Sequence, residues 1–216
     1  MSPLLIALLG ILLLPLFVGT WRVSLVGLAS QGLLMAWIAY RMGPPPASLA
    51  DAPGVLRLVD LGLVRGVIVP ATLYATLVAQ KAPARQDVIP PNLLSWTLAL
   101  GMVLMAFNLA GMLAPESGQQ ETLLAVAASG VLLGFLVLAT QSQPFGQMIG
   151  ILRVENGIAL FELGGGHHHK HLALQVGPVA ILLVSVGLYR WYLAMAHAPD
   201  GAGAYTSSHD GEEPTL

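Results

Sequence analysis

The sequence predicts an all-α fold, a polytopic integral membrane helical bundle with about seven transmembrane helices. Of its 216 residues, 56% are hydrophobic and only 9% are charged, and the mean hydropathy is +0.75. A water-soluble globule of this size could not bury so much apolar surface, so lipid must cover most of it. One helical crossing takes about 20 apolar residues, which leaves room for about seven crossings joined by short loops.

The seven apolar runs follow one another with polar or proline-rich boundaries. The first run is not expected to be a signal peptide, because it lacks a positively charged leading segment and a second apolar run follows at once. Proline residues end the second helix and precede the fourth, since proline supplies no amide donor and restricts the residue before it. The predicted spans are about Pro3–Val18, Val23–Tyr40, Val55–Gln80, Asn92–Ala114, Glu121–Thr140, Phe145–Leu163 and Leu172–Tyr192.

The most plausible internal division is the polar stretch from Pro115 to Gln120. It separates a four-helix transmembrane segment, residues 1–114, from a three-helix transmembrane segment, residues 115–196. Residues 197–216 form a short, glycine-rich and acidic tail. A tail without an apolar run has nothing to bury, so we expect it to be disordered.

Composition excludes several classes of function. A net charge of -2 with nine Lys and Arg residues offers no basic surface for a nucleic-acid backbone. The absence of cysteine excludes disulfides, thiolate zinc sites and iron–sulfur clusters. A b-type haem would need axial histidines on facing helices, but the two histidines near helix ends, His171 and His197, flank the same predicted span. A retinal Schiff base would need a lysine inside a span, and no predicted span contains one. We therefore expect no catalytic residue, no bound cofactor and no metal site.

The third span carries three charges inside apolar sequence. Arg57 and Asp60 lie three residues apart, on one face of an α-helix, and could pair near the membrane surface. Arg65 falls near mid-depth, and Pro70 is expected to kink the helix just beyond it. A charge in hydrocarbon is costly and usually faces protein or water, so these residues form either a static ion pair or part of a functional site.

The sixth span carries Arg153, Glu155 and Glu162. Each costs roughly 2.5 to 3.5 kcal/mol at mid-membrane on insertion scales, so this helix is expected to insert only beside protein partners. Glu155 lies near mid-depth and Glu162 follows two turns later on nearly the same face, whereas Arg153 points to another face. Glu155 is a candidate proton relay or a static structural residue. Its depth also makes it the leading candidate for the carboxylate that compensates Arg65.

Two stretches carry a resemblance to a known family. The run Gly150-Ile-Leu-Arg-Val-Glu-Asn-Gly-Ile-Ala-Leu-Phe-Glu162, preceded by Gln147, resembles hydrogenase-4 component E. The run Leu63-Val-Arg-Gly-Val-Ile-Val-Pro70 resembles that family's basic residue ahead of Ile-Pro. The last three helices of the family are in turn similar to the three-helix small subunit of respiratory complex I.

The resemblance implies a non-catalytic subunit in the membrane arm of a complex I-like assembly such as a group 4 NiFe hydrogenase or formate hydrogenlyase. Its partners would be antiporter-like and other membrane-arm subunits, in a bacterial inner membrane. Glu155 would take the place of the family's intramembrane carboxylate, and Arg65 that of its third-span base. The last helix departs from the family, because Gln175 stands where acidic residues are usual. A second relay carboxylate is therefore not expected.

An alternative function comes from the loop between the sixth and seventh spans, which contains His167, His168, His169 and His171. Histidine titrates near neutral pH and binds metals, so this loop could be a solvated connection, a proton collector or a metal-capture site. The alternative to a redox-complex subunit is a stand-alone metal-ion or small-solute permease that uses the loop. No internal inverted symmetry, which many permeases show, is apparent between the two halves.

Overall fold

The computed structural model describes residues 3–18, 20–42, 52–79, 93–113, 118–164 and 172–196. In these residues the chain forms seven helices, which confirms the predicted all-α bundle and the number of helical segments. They are α1 Pro3–Phe17, α2 Trp21–Met42, α3 Ala52–Ala79, α4 Leu93–Leu113, α5 Gly118–Thr140, α6 Pro144–Gly164 and α7 Leu172–Ala196.

Five of these helices are long and apolar enough to cross a membrane: α2, α3, α4, α5 and α7. The chain is thus a multi-pass membrane protein. The other two helices differ for reasons visible in the sequence. Helix α1 has only 15 residues, and α6 has 21 residues but carries the three charges Arg153, Glu155 and Glu162.

Helix α3 is not α-helical throughout. It winds as an α-helix over Ala52–Leu58, as a π-helix over Val59–Ile68 and again as an α-helix over Val69–Ala79. The π winding ends at Ile68, shortly before Pro70, whose ring nitrogen carries no hydrogen to donate to either ladder. The π-helix is rare, and it is found frequently at functional sites.

Glycines let α2 and α3 approach closely. A Cβ added to Gly32 would lie 2.6 Å from the backbone nitrogen of Gly66, and one added to Gly62 would lie 3.3 Å from the Cβ of Ala36. Gly62 and Gly66 are small residues at a spacing of four, so both lie on the same face of α3. The pairing of Gly32 with Gly66 and of Ala36 with Gly62 makes these helices antiparallel.

Helices α5 and α6 form the most extensive helix pair of the bundle. A Cβ on Gly134 would lie 2.8 Å from the backbone nitrogen of Val154, and one on Gly150 would lie 2.8 Å from that of Leu138. Small residues allow such backbone approaches in membranes, where packing rather than a hydrophobic driving force holds helices together. Gly134 and Gly150 thus lie where the backbones of α5 and α6 come closest together.

Two apolar clusters fill the interior. The larger cluster contains residues from each of the helices α1 through α6, and therefore from both sides of the proposed division. Leu8, Leu12, Val126 and Leu133 are among its members. The second lies where α2 and α6 begin and α3 ends, and we call it the distal apolar cluster. Its buried members are Trp21, Leu25, Leu28, Val64, Val69, Leu73, Phe145, Met148, Ile149, Leu152, Leu182 and Val186.

The outer surfaces of α4 and α7 are apolar. Leu104, Leu113, Ile181 and Trp191 are among their large exposed side chains, as expected of helices that face lipid. Residues 114–117, where the proposed division falls, lie outside the described residues. The histidine loop from His167 to His171 and the acidic tail 197–216 lie outside them as well.

Candidate functional site

Arg65 and Asp60 form a buried ion pair within the π-helical part of α3. The Arg65 Nε lies 3.2 Å from Asp60 Oδ2, and the two side chains are 6% and 16% exposed. In an α-helix, residues five apart point about 140° away from each other. A π-helix closes its hydrogen-bonded turn over five residues, so the same two side chains lie above one another. The π winding therefore makes the pair possible.

The guanidinium of Arg65 also joins α3 to α6. Its Nη1 donates a hydrogen bond to Oδ1 of Asn156, with a length of 3.0 Å, although the two residues are 91 positions apart. Asn156 is buried. A hydrogen bond to a charged donor in a low-dielectric interior is stronger than a neutral one, so this contact fixes the position of Arg65 between the two helices.

Glu155 precedes Asn156 on α6, and its Oε2 is not part of this hydrogen-bond network. That oxygen is buried and accepts no hydrogen bond from the described residues. The side chain is half-buried and lies within electrostatic reach of Arg65 and Asp60. Arg65 thus pairs directly with one carboxylate, that of Asp60, and interacts electrostatically with a second, that of Glu155.

A second pair of charges lies nearer the end of the bundle at which α3 begins and α6 ends. Arg57 on α3 is half-buried and interacts electrostatically with Glu162 on α6, which is exposed. Arg57 precedes Arg65 along α3, mostly through the π-helical segment, and Glu162 follows Glu155 by about 10 Å along α6, at 1.5 Å per residue. The ionisable groups of α3 and α6 therefore face one another in antiparallel order.

Arg153 makes a separate contact with α1. It is 0% exposed, and its Nη1 donates to the carbonyl oxygen of Leu12 at 3.0 Å. Leu12 is itself buried in the interior of the bundle. Arg153 therefore links α6 to α1, and the sequence-based prediction that it points away from Glu155 is confirmed.

Beyond Arg65 the space between α3 and α6 is a narrow and mainly apolar cleft. It is lined by Leu28, Arg65, Val69, Leu152, Asn156 and Leu182. Four of these residues belong to the distal apolar cluster. The polar network therefore ends where this cluster begins.

The structure corrects two pairings expected from the sequence. Asp60 pairs with Arg65 rather than with Arg57, because the π winding moves Arg65 onto its face of the helix. For the same reason the carboxylate that directly compensates Arg65 is Asp60, not Glu155. The expectation that Glu155 and Glu162 share a face is confirmed. Together with Ile151 and Ile158 they form a stripe at helical spacing on the outer side of α6.

Two polar residues of the region were not assigned a role from the sequence. Asn156 was noted as part of the family motif, but its contact with Arg65 depends on tertiary structure. Gln31 is 1% exposed in the middle of α2, and its Oε1 accepts no hydrogen bond from the described residues. The sequence offered one indication of Gln31, since it is an amide in the middle of an apolar span.

Within the described ranges, no three or more His, Asp or Glu side chains come together in a way that could hold a metal ion. The histidine loop, on which the permease alternative depends, is outside these ranges. Comparison of the chain with protein-family models, with curated proteins and with solved structures finds no match.

Proposed function

We propose that this chain is a non-catalytic membrane subunit of a complex I-like, proton-coupled redox complex of the group 4 hydrogenase type, located in a bacterial inner membrane. Its role is to assemble with antiporter-like and other membrane-arm subunits and to take part in proton translocation through the charged groups between α3 and α6. The chain itself performs no redox chemistry.

One observation carries the proposal: the hydrogen bond from Arg65 to Asn156. It joins the two sequence stretches that resemble hydrogenase-4 component E, one in α3 and the other in α6. Intramembrane charges are costly, and they usually mark ion or proton pathways where they face protein or water. A lone structural pair would need only Arg65 and Asp60, whereas here Glu155 remains next to the pair with a buried oxygen that accepts no hydrogen bond.

The outer stripe of α6 supports an assembly with other subunits. Glu155 lies near mid-membrane on the same face as the exposed residues Ile158 and Glu162. Carboxylates facing hydrocarbon would cost several kcal/mol. A subunit packed beside α6, or water held between subunits, removes that cost.

Copurification tests the proposal. The native protein, extracted from its own membrane in a mild detergent and captured through a tag, is expected to bring antiporter-like and redox subunits in fixed ratios. The matched control is the same extraction of the variant Gly134→Leu, in which the side chain would collide with the backbone of α6 and disturb the bundle. A native protein that runs alone, without redox partners, would contradict the proposal and favour the permease.

A further inference from the structure

The guanidinium of Arg65 has two of its three nitrogens engaged by residues other than Glu155. Its Nε lies 3.2 Å from Oδ2 of Asp60, and its Nη1 donates to Oδ1 of Asn156 at 3.0 Å. The first partner is a carboxylate on the same helix, whereas the second is a neutral amide on α6. Asn156 is therefore the residue that sets where the guanidinium lies relative to α6.

Both ends of the hydrogen bond between Arg65 and Asn156 are anchored by glycine contacts. A Cβ on Gly32 of α2 would lie 2.7 Å from the carbonyl carbon of Arg65. Gly157 follows Asn156, and a Cβ on it would lie 2.8 Å from the backbone nitrogen of Val131 in α5. Close-packed interiors of this kind yield little. The hydrogen bond therefore joins two fixed points of the backbone and holds the guanidinium in one place.

Glu155 carries an unused acceptor beside this contact. It precedes Asn156 on α6 and interacts electrostatically with Arg65. Its Oε2 is buried and accepts no hydrogen bond from the part of the chain that the structure describes. Arg65 is itself buried, and a buried donor that loses its acceptor costs free energy until it finds another. Without the Asn156 amide, the carboxylate of Glu155 is the neighbouring acceptor on α6 that still lacks a donor.

From these contacts we propose that Asn156 is a positioning residue, which holds the guanidinium of Arg65 off Glu155 and so prevents a direct ion pair between them. An amide suits this role because it accepts a hydrogen bond without adding a charge. A carboxylate bonded directly to a guanidinium is held in its ionised form, whereas one that is only within electrostatic reach can also be protonated. That Glu155 uses this freedom to carry protons rests on the proposed function, whereas the placement of Arg65 rests on the contacts described above.

Carbodiimide labelling tests this role, because dicyclohexylcarbodiimide enters the bilayer and reacts with protonated carboxyl groups but not with carboxylates. Labelling at Glu155 is measured by mass spectrometry on the native protein in its own membrane, at one pH and one reagent concentration. In Asn156→Leu the amide acceptor is lost, so Arg65 should pair with Glu155. Labelling should then fall by about tenfold or more, as expected for a hydrogen bond that involves a charged partner.

Two further variants separate the acceptor from the packing. Asn156→Asp keeps the shape of the side chain and still offers Oδ1 to Arg65, and its negative charge favours the protonated form of Glu155. Labelling in this variant should therefore stay at or above the wild-type level. Gln31→Leu is the matched control, because it removes an amide that is 1% exposed in α2 and whose Oε1 accepts no hydrogen bond from the described residues. It should leave the labelling unchanged.

Three results would overturn the positioning role. Wild-type labelling in an assembled Asn156→Leu would show that Arg65 stays away from Glu155 without the amide. An equal fall in Asn156→Asp or Gln31→Leu would show that packing, and not the acceptor at position 156, controls Glu155. A wild type that is not labelled at Glu155 would show that this carboxylate is already locked in its ionised form.

Asn156→Met, with an unbranched apolar side chain, gives the same reading should Asn156→Leu not accumulate. None of these outcomes depends on proton translocation or on the identity of the partner subunits. The positioning role of Asn156 and the proposed function can therefore fail separately.

Discussion

Arg65 pairs with Asp60, five residues earlier on the same helix, through a contact of 3.2 Å between Nε and Oδ2. The relationship is unusual because α-helical geometry would turn the two side chains apart. It depends on the π winding of Val59–Ile68 and places a compensated positive charge next to Glu155.

A double-mutant cycle measures the pair. Arg65→Met and Asp60→Asn should each lower the free energy of unfolding in detergent by up to roughly 3 to 5 kcal/mol, because each leaves a buried partner uncompensated, and the double variant should recover much of the loss. The cycle of Arg65→Met with Glu155→Gln is the comparison. It should show a smaller coupling energy, since Glu155 interacts with Arg65 electrostatically but is not its ion-pair partner. Equal coupling in both cycles would refute the assignment of Asp60.

The π winding itself can be tested at Pro70. Pro70→Ala restores an amide that can bond the carbonyl of Gly66 in the α pattern, whereas the neighbouring Val69 N–H now bonds the Val64 carbonyl in the π pattern. A shift toward α winding would turn Arg65 away from Asp60, so the coupling energy of that pair should shrink in the Pro70→Ala background. Pro178→Ala, inside α7, is the control and should leave the coupling unchanged. An unaltered coupling in Pro70→Ala would show that Pro70 does not maintain the π segment.

The contact of α2 with α3 should not tolerate a side chain at Gly32. A Cβ there would lie 2.7 Å from the Arg65 carbonyl carbon, so Gly32→Ala must push the two helices apart and should cost roughly 1 to 3 kcal/mol. Thermal unfolding in detergent is the measurement. Gly101→Ala, in α4 with open space around its Cβ position, should change the midpoint little. If both variants unfold at the wild-type temperature, the close approach of α2 and α3 is not present in the protein.

Much of the fold could be predicted from the sequence, because hydrocarbon allows few alternatives. Apolar runs of the length of a membrane, ended by prolines and charges, gave the seven helices close to their observed bounds. The shared face of Glu155 and Glu162 follows from helical periodicity alone.

The pairing of the charges could not be predicted in the same way. The sequence argument placed Asp60 with Arg57 because it used the period of an α-helix. A π-helix changes that period, and whether one forms depends on tertiary packing such as the approach of Gly32 to Gly66. The contact of Arg65 with Asn156 joins residues 91 positions apart, which no local pattern specifies.

The central claim, that Glu155 carries protons for a redox complex, is tested most directly by proton translocation in sealed vesicles that contain the native complex with Glu155→Gln. Glutamine keeps the shape of the side chain but cannot ionise. Glu121→Gln is the matched control, because Glu121 lies at the start of α5 and not among the ionisable residues of α3 and α6. We predict that both variants assemble normally. Glu155→Gln should lose most of its proton translocation per redox turnover, whereas Glu121→Gln should translocate protons as the wild type does. Unchanged translocation at normal turnover in Glu155→Gln would contradict the claim and leave Glu155 a structural residue.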